Sequence, residues 1–258
     1  MNYNTINYYI NSGIATISLN RQDRFNAFNS EMRAELLKAL HHAKEDKNCR
    51  VIVLTAEGKA FCAGQDLKDI EGKVDFAAIL KNGYNPLIQF MKELPKPIIG
   101  RINGVAAGAG CSLALACDFI IADSKATFVE AFVSIGLVLD SGSSYFLPRL
   151  VGSARAFELA TTGNKLTAEQ AYDWGMINRC VSTENLDDEV QKIALYYANA
   201  PTKAIGMMKK MLNDSMHSSL SDVLEYESNF QELAGNTKDF NEGVTAFLEK
   251  RKPRFKGN

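Results

Sequence analysis

Three stretches of the sequence carry residue types suited to chemistry. The run "SIGLVLDSGSSYF" (134–146) ends an apolar stretch on a lone carboxylate, Asp140. Apolar neighbours such as Leu137, Val138 and Leu139 raise a carboxylate's pKa and strengthen it as a base. Asp before a helix is also a preferred cap, and a helix beginning near Ser141 would give Asp140 that role, at a cost in basicity. On the residues alone the cap is the favoured reading of the two. "KAFCAGQDLKDI" (59–70) and "NGVAAGAGCSLAL" (103–115) are glycine-containing turns. Ala63 and Gly64 are small enough for a ligand to approach the backbone. The second turn runs into a helix, whose first N–H groups attract negative charge. One donor from each turn would make an oxyanion hole for a carbonyl that gains charge during reaction, while on spacing alone a tight turn capping the next helix is the better reading of the first stretch. The glycines of the second run G-x-x-x-G-x-G, and no acidic residue closes a strand at the expected distance, so a dinucleotide fingerprint is disfavoured.

The surrounding elements read as an alternation of short strands and helices. Ile6, Tyr8 and Ile10 alternate with polar residues, "NSG" (11–13) turns the chain, and "IATISL" returns it as a hairpin. Asn29 caps a helix with Met32, Leu36, Leu37, Leu40 and Ala43 at helical spacing. "VIVLTA" (51–56) is a continuous apolar run suited to a buried strand. "PIIGRI", "FIIAD", "ATFV" and "INRCVS" read as further extended pieces, with helices through "AGCSLALAC" and "ARAFELATTG". Thr167 and Gln170 form a capping box for a helix closed by Gly175. After Pro201 strand candidates stop. Asp222 with Glu225 reads as one capping box and Thr237 as another cap. The pattern predicts an α/β class, with a core over 1–200 and a helical subdomain over 201–258. The Met and aromatic residues of that last part (Met207, Met208, Met211, Tyr226, Phe230, Phe247) read as packing faces.

Composition excludes several classes. The 258 residues are 46% apolar and 23% charged with a formal net charge of −1, so charge gives no case for a nucleic-acid or membrane partner. The N-terminal stretch has no basic segment followed by an apolar core, and the longest apolar runs are far short of a membrane span. Cys49, Cys62, Cys111, Cys117 and Cys180 are scattered and odd in number, as for reduced thiols in a cytoplasmic protein. His41, His42 and His217 have no metal-ligand spacing, so no metal is expected.

"LNRQDRFNAF", "FCAGQDL", "LPKPIIGRINGVAAGAG", "ACDFIIA" and "FLEKRKPRF" occur in the order found in the enoyl-CoA hydratase/isomerase (crotonase) superfamily, and the resemblance covers essentially the whole chain. "YNPL" (84–87), "DWGMI" and "EGVTAFLEKR" further resemble its phenylacetate-pathway subgroup, isomerases of ring-1,2-epoxyphenylacetyl-CoA. The resemblance implies a ββα spiral core with C-terminal helices that trimerise, often as a hexamer of two trimers. It implies an acyl-CoA thioester as substrate, coenzyme A entering as part of it, and no separate cofactor. By motif position the backbone N–H groups of Gln65 and Ala109 form the oxyanion hole. Arg24 and Ala27 fall at the pantetheine and phosphates of CoA, and Ala63, Asp66 and Leu67 beside the adenine. Phe247 and Lys250 fall where the chain closes over CoA, often from a neighbouring subunit. The basic "KRKPRFK" (250–256) reads either as a solvated tail or as charge near the CoA phosphates.

The departures from the family pattern narrow the chemistry. Hydratases of this superfamily hold and activate water with two glutamates, and Ser112 and Phe132 stand at those positions. Glu130 would point to the same side as Phe132 if that segment were extended. Asp140 matches the position of an isomerase aspartate, and a single carboxylate suffices for a proton shift. The resemblance thus implies an acyl-CoA isomerase acting on a ring epoxide or a 3-enoyl-CoA. A hydratase and a non-catalytic acyl-CoA-binding subunit are the alternatives.

Overall fold

The computed structural model describes residues 2–69 and 74–258. Strands β1 (Ile6–Asn11) and β2 (Ile14–Leu19) form the expected antiparallel hairpin, turned by Ser12 and Gly13 in left-handed backbone. Helix α1 (Ser30–Glu45) starts at Asn29, whose side-chain oxygen accepts the Met32 N–H at 2.8 Å. That bond satisfies one of the donors a helix start leaves unpaired. Strand β3 (Val51–Ala56) runs parallel to β2 and is buried at every position. The reason is visible in its alternation: Ile52 and Leu54 enter the main core with Met32, Leu36 and Leu40 of α1, while Val51 and Val53 enter a second cluster on the opposite face. Burying each such aliphatic side chain stabilises the fold by about 1.5–3 kcal/mol.

From β3 onward one unit repeats. β3 is followed by β4 (Ala60–Cys62), and later by helices α2 (Phe76–Ile79) and α3 (Asn85–Glu93). Then come β5 (Ile98–Ile102), β6 (Val105–Ala107) and α4 (Ala109–Leu115), and after them β7 (Phe119–Asp123), β8 (Thr127–Val129) and α5 (Ser143–Val151). β3, β5 and β7 are parallel neighbours in a six-stranded sheet, and β4, β6 and β8 are parallel neighbours in a four-stranded one. Each pass of the chain lays one strand on each sheet before returning through helix, which is a ββα spiral. Close contact between passes has a steric requirement: a Cβ on Gly110 of α4 would lie 2.3 Å from the Cys62 carbonyl oxygen of β4, so only glycine fits there.

The chain continues through α6 (Ser153–Thr162), β9 (Lys165–Thr167), α7 (Ala168–Asp173), β10 (Arg179–Val181) and α8 (Leu186–Ala198). β9 pairs antiparallel with β8 and β10 parallel with β7. The Thr167–Gln170 capping box forms as expected. Leu186, Val190, Ala194 and Ala198 of α8 cover Ile14, Val51, Val53, Ile99 and Ile121, closing the second face of the large sheet. Helices α9 (Thr202–Ser215), α10 (Leu220–Gly235) and α11 (Lys238–Leu248) follow, with no strand among the described residues after Val181.

Two local expectations shift. The capping box of α10 is Ser219 with Asp222, one turn before the Asp222–Glu225 pair. Both pairs fit the spacing rule, but Ser219 is the residue in extended backbone, so its hydroxyl meets the free N–H of Asp222. The stretch 59–70 holds strand β4 in addition to a turn, and Ile70 lies outside the described residues.

Candidate active site

β4 delivers Ala63, Gly64 and Gln65 to the edge of a cleft. The Phe28 N–H donates to the Gly64 carbonyl at 2.7 Å and the Asp66 N–H donates to the Phe28 carbonyl at 2.9 Å, bridging Phe28 and Gln65. The segment before Phe28 is itself pinned. Asn26, buried and in left-handed backbone, donates to the carbonyls of Glu57 and Ala60 and accepts the Arg21 N–H. The Gln65 side chain is turned into a fixed network: its Oε1 accepts from Tyr84 and from Arg33, both at 2.7 Å, and its Nε2 donates to the Phe28 and Asp66 carbonyls. Its backbone N–H is left without an acceptor among the described residues.

β6 delivers the second turn. Gly108 donates to the Val129 carbonyl at 2.8 Å, and Ala109 opens α4 with its own N–H unpaired among the described residues. The two turns touch. Gly64 has φ +93°, and a Cβ on it would lie 2.8 Å from the Ala107 carbonyl oxygen and 3.6 Å from the Ala109 nitrogen. Two free N–H groups are thereby brought to one edge, the arrangement that stabilises a developing oxyanion.

Both turns line a cavity of about 250 Å³, and so does Asp140. The rest of the wall is mostly apolar, with Leu80, Phe132, Ile135 and Leu137 contributing, and with Tyr84 and Ser134 as polar members. Asp140 does not cap α5 with its side chain. The helix begins at Ser143 behind Gly142, with no side-chain cap, and the Ser143 N–H donates to the Asp140 backbone carbonyl at 3.0 Å. The carboxylate remains in the cavity wall, and among the described residues it accepts only the Ser141 hydroxyl, at 2.8 Å. Burial pushes its pKa above the usual carboxylate range, and the Ser141 hydrogen bond partly opposes that rise. At the cavity edge the capping reading of Asp140 thus gives way to the reading of a carboxylate held against apolar groups.

The other anticipated residues divide into two groups. Ala63, Gln65, Leu67, Ala109 and Asp140 share the cavity. Arg24, Ala27 and Asp66 lie on the adjoining turns without lining it. Asp66 pairs with Arg21 at 3.0 Å, the Ala27 carbonyl accepts from the same guanidinium, and Arg24 lies 3.4 Å from Asp23. Phe247 and Lys250, at the end of α11, are exposed and outside the cavity of this single chain. Of the "YNPL" residues Tyr84 lines the cavity and Asn85 does not; Tyr145 is also outside it. Glu130 is not on an extended segment beside Phe132, because β8 ends at Val129 and a tight helical turn begins at Ala131. Among the described residues no cluster of His, Cys, Asp or Glu could hold a metal ion, and no helix is long and apolar enough to cross a membrane.

The family model for enoyl-CoA hydratase/isomerase matches residues 9–258. The chain belongs to the enoyl-CoA hydratase/isomerase family. It is 44% identical over 254 residues to the 1,2-epoxyphenylacetyl-CoA isomerase of Escherichia coli strain K12, a match covering 96% of this chain and 97% of that one. It is 42% identical over 259 residues to a protein of Rhodobacter capsulatus named "probable enoyl-CoA hydratase", with both chains fully covered. The crystal structure of an enoyl-CoA hydratase from Bacillus anthracis superposes with a TM-score of 0.92 at 33% identity, covering 99% of this chain and 100% of that one. The fold of the chain is thus that of the enoyl-CoA hydratase/isomerase family. At the positions where the resemblance expects hydratase glutamates, this family member has Ser112, buried and bonded to Ser143, and Phe132, in the cavity wall.

Proposed function

We propose that this protein is an acyl-CoA isomerase in which Asp140 is the single acid–base group. The observation that carries the reading is that Asp140 and two backbone donors unpaired among the described residues, Gln65 and Ala109, face the same apolar cavity, and among the described residues Asp140 is the one carboxylate lining it. In this mechanism the thioester oxygen accepts from the two N–H groups. Asp140 removes a proton from the carbon next to the thioester, and the electron pair of that C–H bond moves into the carbonyl to give an enolate. The enolate collapses toward a different carbon, which takes the proton back from Asp140. Atoms are conserved, and neither an added water nor a separate cofactor is required. A 3-enoyl-CoA fits this sequence directly. A ring-epoxidised phenylacetyl-CoA is the substrate favoured by the E. coli relative's name.

The CoA moiety would extend past Arg24, Ala27, Ala63, Asp66 and Leu67, with Phe247 and Lys250 reaching it from a neighbouring subunit of a homotrimer or of a hexamer. Support for assembly comes from the exposed apolar side chains of the last three helices, including Leu220, Leu224, Leu233, Phe240, Val244 and Phe247.

Incubation with crotonyl-CoA, a 3-enoyl-CoA and ring-epoxidised phenylacetyl-CoA, followed by mass analysis, tests the reading. The expected result is a rearranged product of unchanged mass from the epoxide or the 3-enoyl thioester, with no efficient addition of water to crotonyl-CoA. A hydratase-like turnover on crotonyl-CoA overturns it. Tight binding of all three without any turnover points to an acyl-CoA-binding subunit instead.

A further inference from the structure

Glu130, the residue after β8, is 2% exposed, and among the described residues no cation pairs with it. Its Oε1 lies 3.0 Å from Ser143 Oγ, and its Oε2 has no hydrogen-bond partner among the described residues. Ser143 Oγ lies 2.8 Å from Ser112 Oγ, which in turn lies 3.1 Å from the Asp140 carbonyl oxygen and 3.3 Å from that of Gly108. Both serines are fully buried. These contacts join a carboxyl group, two hydroxyls and, at the end, two backbone carbonyls in one line.

The protons of this line can be counted. The line has three links, Glu130 to Ser143, Ser143 to Ser112, and Ser112 to the two carbonyls that share its hydroxyl, and it needs three protons for all three to be hydrogen bonds. Each serine brings one, and a carbonyl brings none. With Glu130 ionised, one contact sets lone pairs against each other, or Ser112 abandons the carbonyls. With Glu130 protonated, it donates to Ser143, Ser143 donates to Ser112, and the Ser112 hydroxyl is shared between the Asp140 and Gly108 carbonyls. Every contact is then satisfied, and a buried charge without a counter-ion is avoided.

We propose that Glu130 is held as a neutral carboxylic acid and acts as a positioning residue that fixes the backbone of Asp140 through Ser143 and Ser112, an inference that rests on the reading of Asp140 as the acid–base group. Burial supports it by raising the Glu130 pKa to about 7; the Ser143 hydroxyl and the Cys111 thiol of α4 oppose the rise, and the charge of Asp140 adds to it. Those two, Cys111 and Asp140, are the titratable groups that act on it. The loop being held needs such a restraint. Ser141 occupies left-handed backbone at φ +50°, a conformation that persists in a non-glycine residue only where its surroundings impose it. Loss of the Glu130 proton removes one link of the line and places a negative charge close to Asp140.

Infrared spectroscopy tests the proton directly, without substrate. The wild-type protein should show the C=O stretch of an un-ionised, buried carboxylic acid that fades as pH rises through neutrality. Glu130→Gln should remove that band, and Asp140→Asn should leave it. Amide hydrogen exchange of residues 140–146 tests the positioning. Glu130→Ala and Ser143→Ala should speed it, and Glu130→Gln, whose amide still donates to Ser143 at every pH, should restore slow exchange and abolish its pH step. In turnover, Glu130→Ala should lower kcat by up to about a hundredfold with little change in KM, as for a slightly misplaced catalytic group, and Glu130→Gln should recover most of it. Absence of the band from the wild type, or exchange in Glu130→Ala indistinguishable from wild type, overturns the proposal. If the band and the exchange pattern appear as expected but no acyl-CoA is isomerised, Glu130 stands and the isomerase reading falls.

Discussion

Replacing Asp140 with asparagine is expected to lower kcat for isomerisation by about 10²- to 10⁴-fold, the range associated with removing a general acid–base. Acyl-CoA binding should persist, because the amide keeps the shape of the carboxylate and the proposed oxyanion donors are the backbone N–H groups of Gln65 and Ala109. Stability should also persist. Helix α5 is capped at Gly142 without any side chain, and the Asp140 backbone carbonyl, which accepts the Ser143 N–H, is untouched by the substitution. The remaining wild-type activity should rise with pH as the carboxyl ionises, since only the carboxylate can take a proton. Burial places that rise above the ordinary aspartate range. Steady-state kinetics alongside a CoA-ligand binding measurement checks this, and a fully active Asp140→Asn variant would reduce the residue to a bystander in the cavity wall.

The second large effect belongs to Gly64. Its φ of +93° is costly for any other residue, and an alanine Cβ would sit 2.8 Å from the Ala107 carbonyl oxygen. Relief requires the Gln65 turn to move away from the β6–α4 turn, and the two N–H groups then no longer converge on one oxygen. Gly64→Ala should therefore cost about 10²- to 10³-fold in kcat, comparable to deleting one oxyanion donor. The backbone strain adds about 1–3 kcal/mol of destabilisation. Turnover measured on variant protein shown to be folded by circular dichroism settles the point: an unaltered kcat would mean that the two turns do not act as a donor pair.

Much of this was legible from residues near one another in sequence. The continuous apolar run at 51–56 announces a strand covered on both faces, and β3 proves to be buried at all six positions. The Thr167–Gln170 box is visible because its partners are three residues apart. By contrast β4, β6 and β9 have three residues each, too few to show alternation, and β4 and β6 are embedded in the glycine-rich turns they serve. The choice between cap and wall for Asp140 turned on the backbone of Ser141 and Gly142, both in left-handed conformations that residue type alone does not dictate. The residues that hold the site were hidden for a related reason. Arg33 and Tyr84 reach Gln65 across 32 and 19 residues, and Ser143 meets Glu130 across 13, so no local pattern links them.

The buried carboxyl of Glu130 also changes what folding does to the solvent. At neutral pH an exposed glutamate, with an ordinary value of 4.5, is ionised in the unfolded chain, whereas the folded one titrates at about 7. Folding therefore takes up a proton. The favourable contribution of this group is fully present below about pH 4.5 and is lost as pH rises through about 7, a change on the order of 3 kcal/mol. Denaturant titrations at the two ends of that window read it directly. Mild acid tightens the part of the core that carries Asp140, and the same acid withdraws the charge that the proposed base role of Asp140 requires.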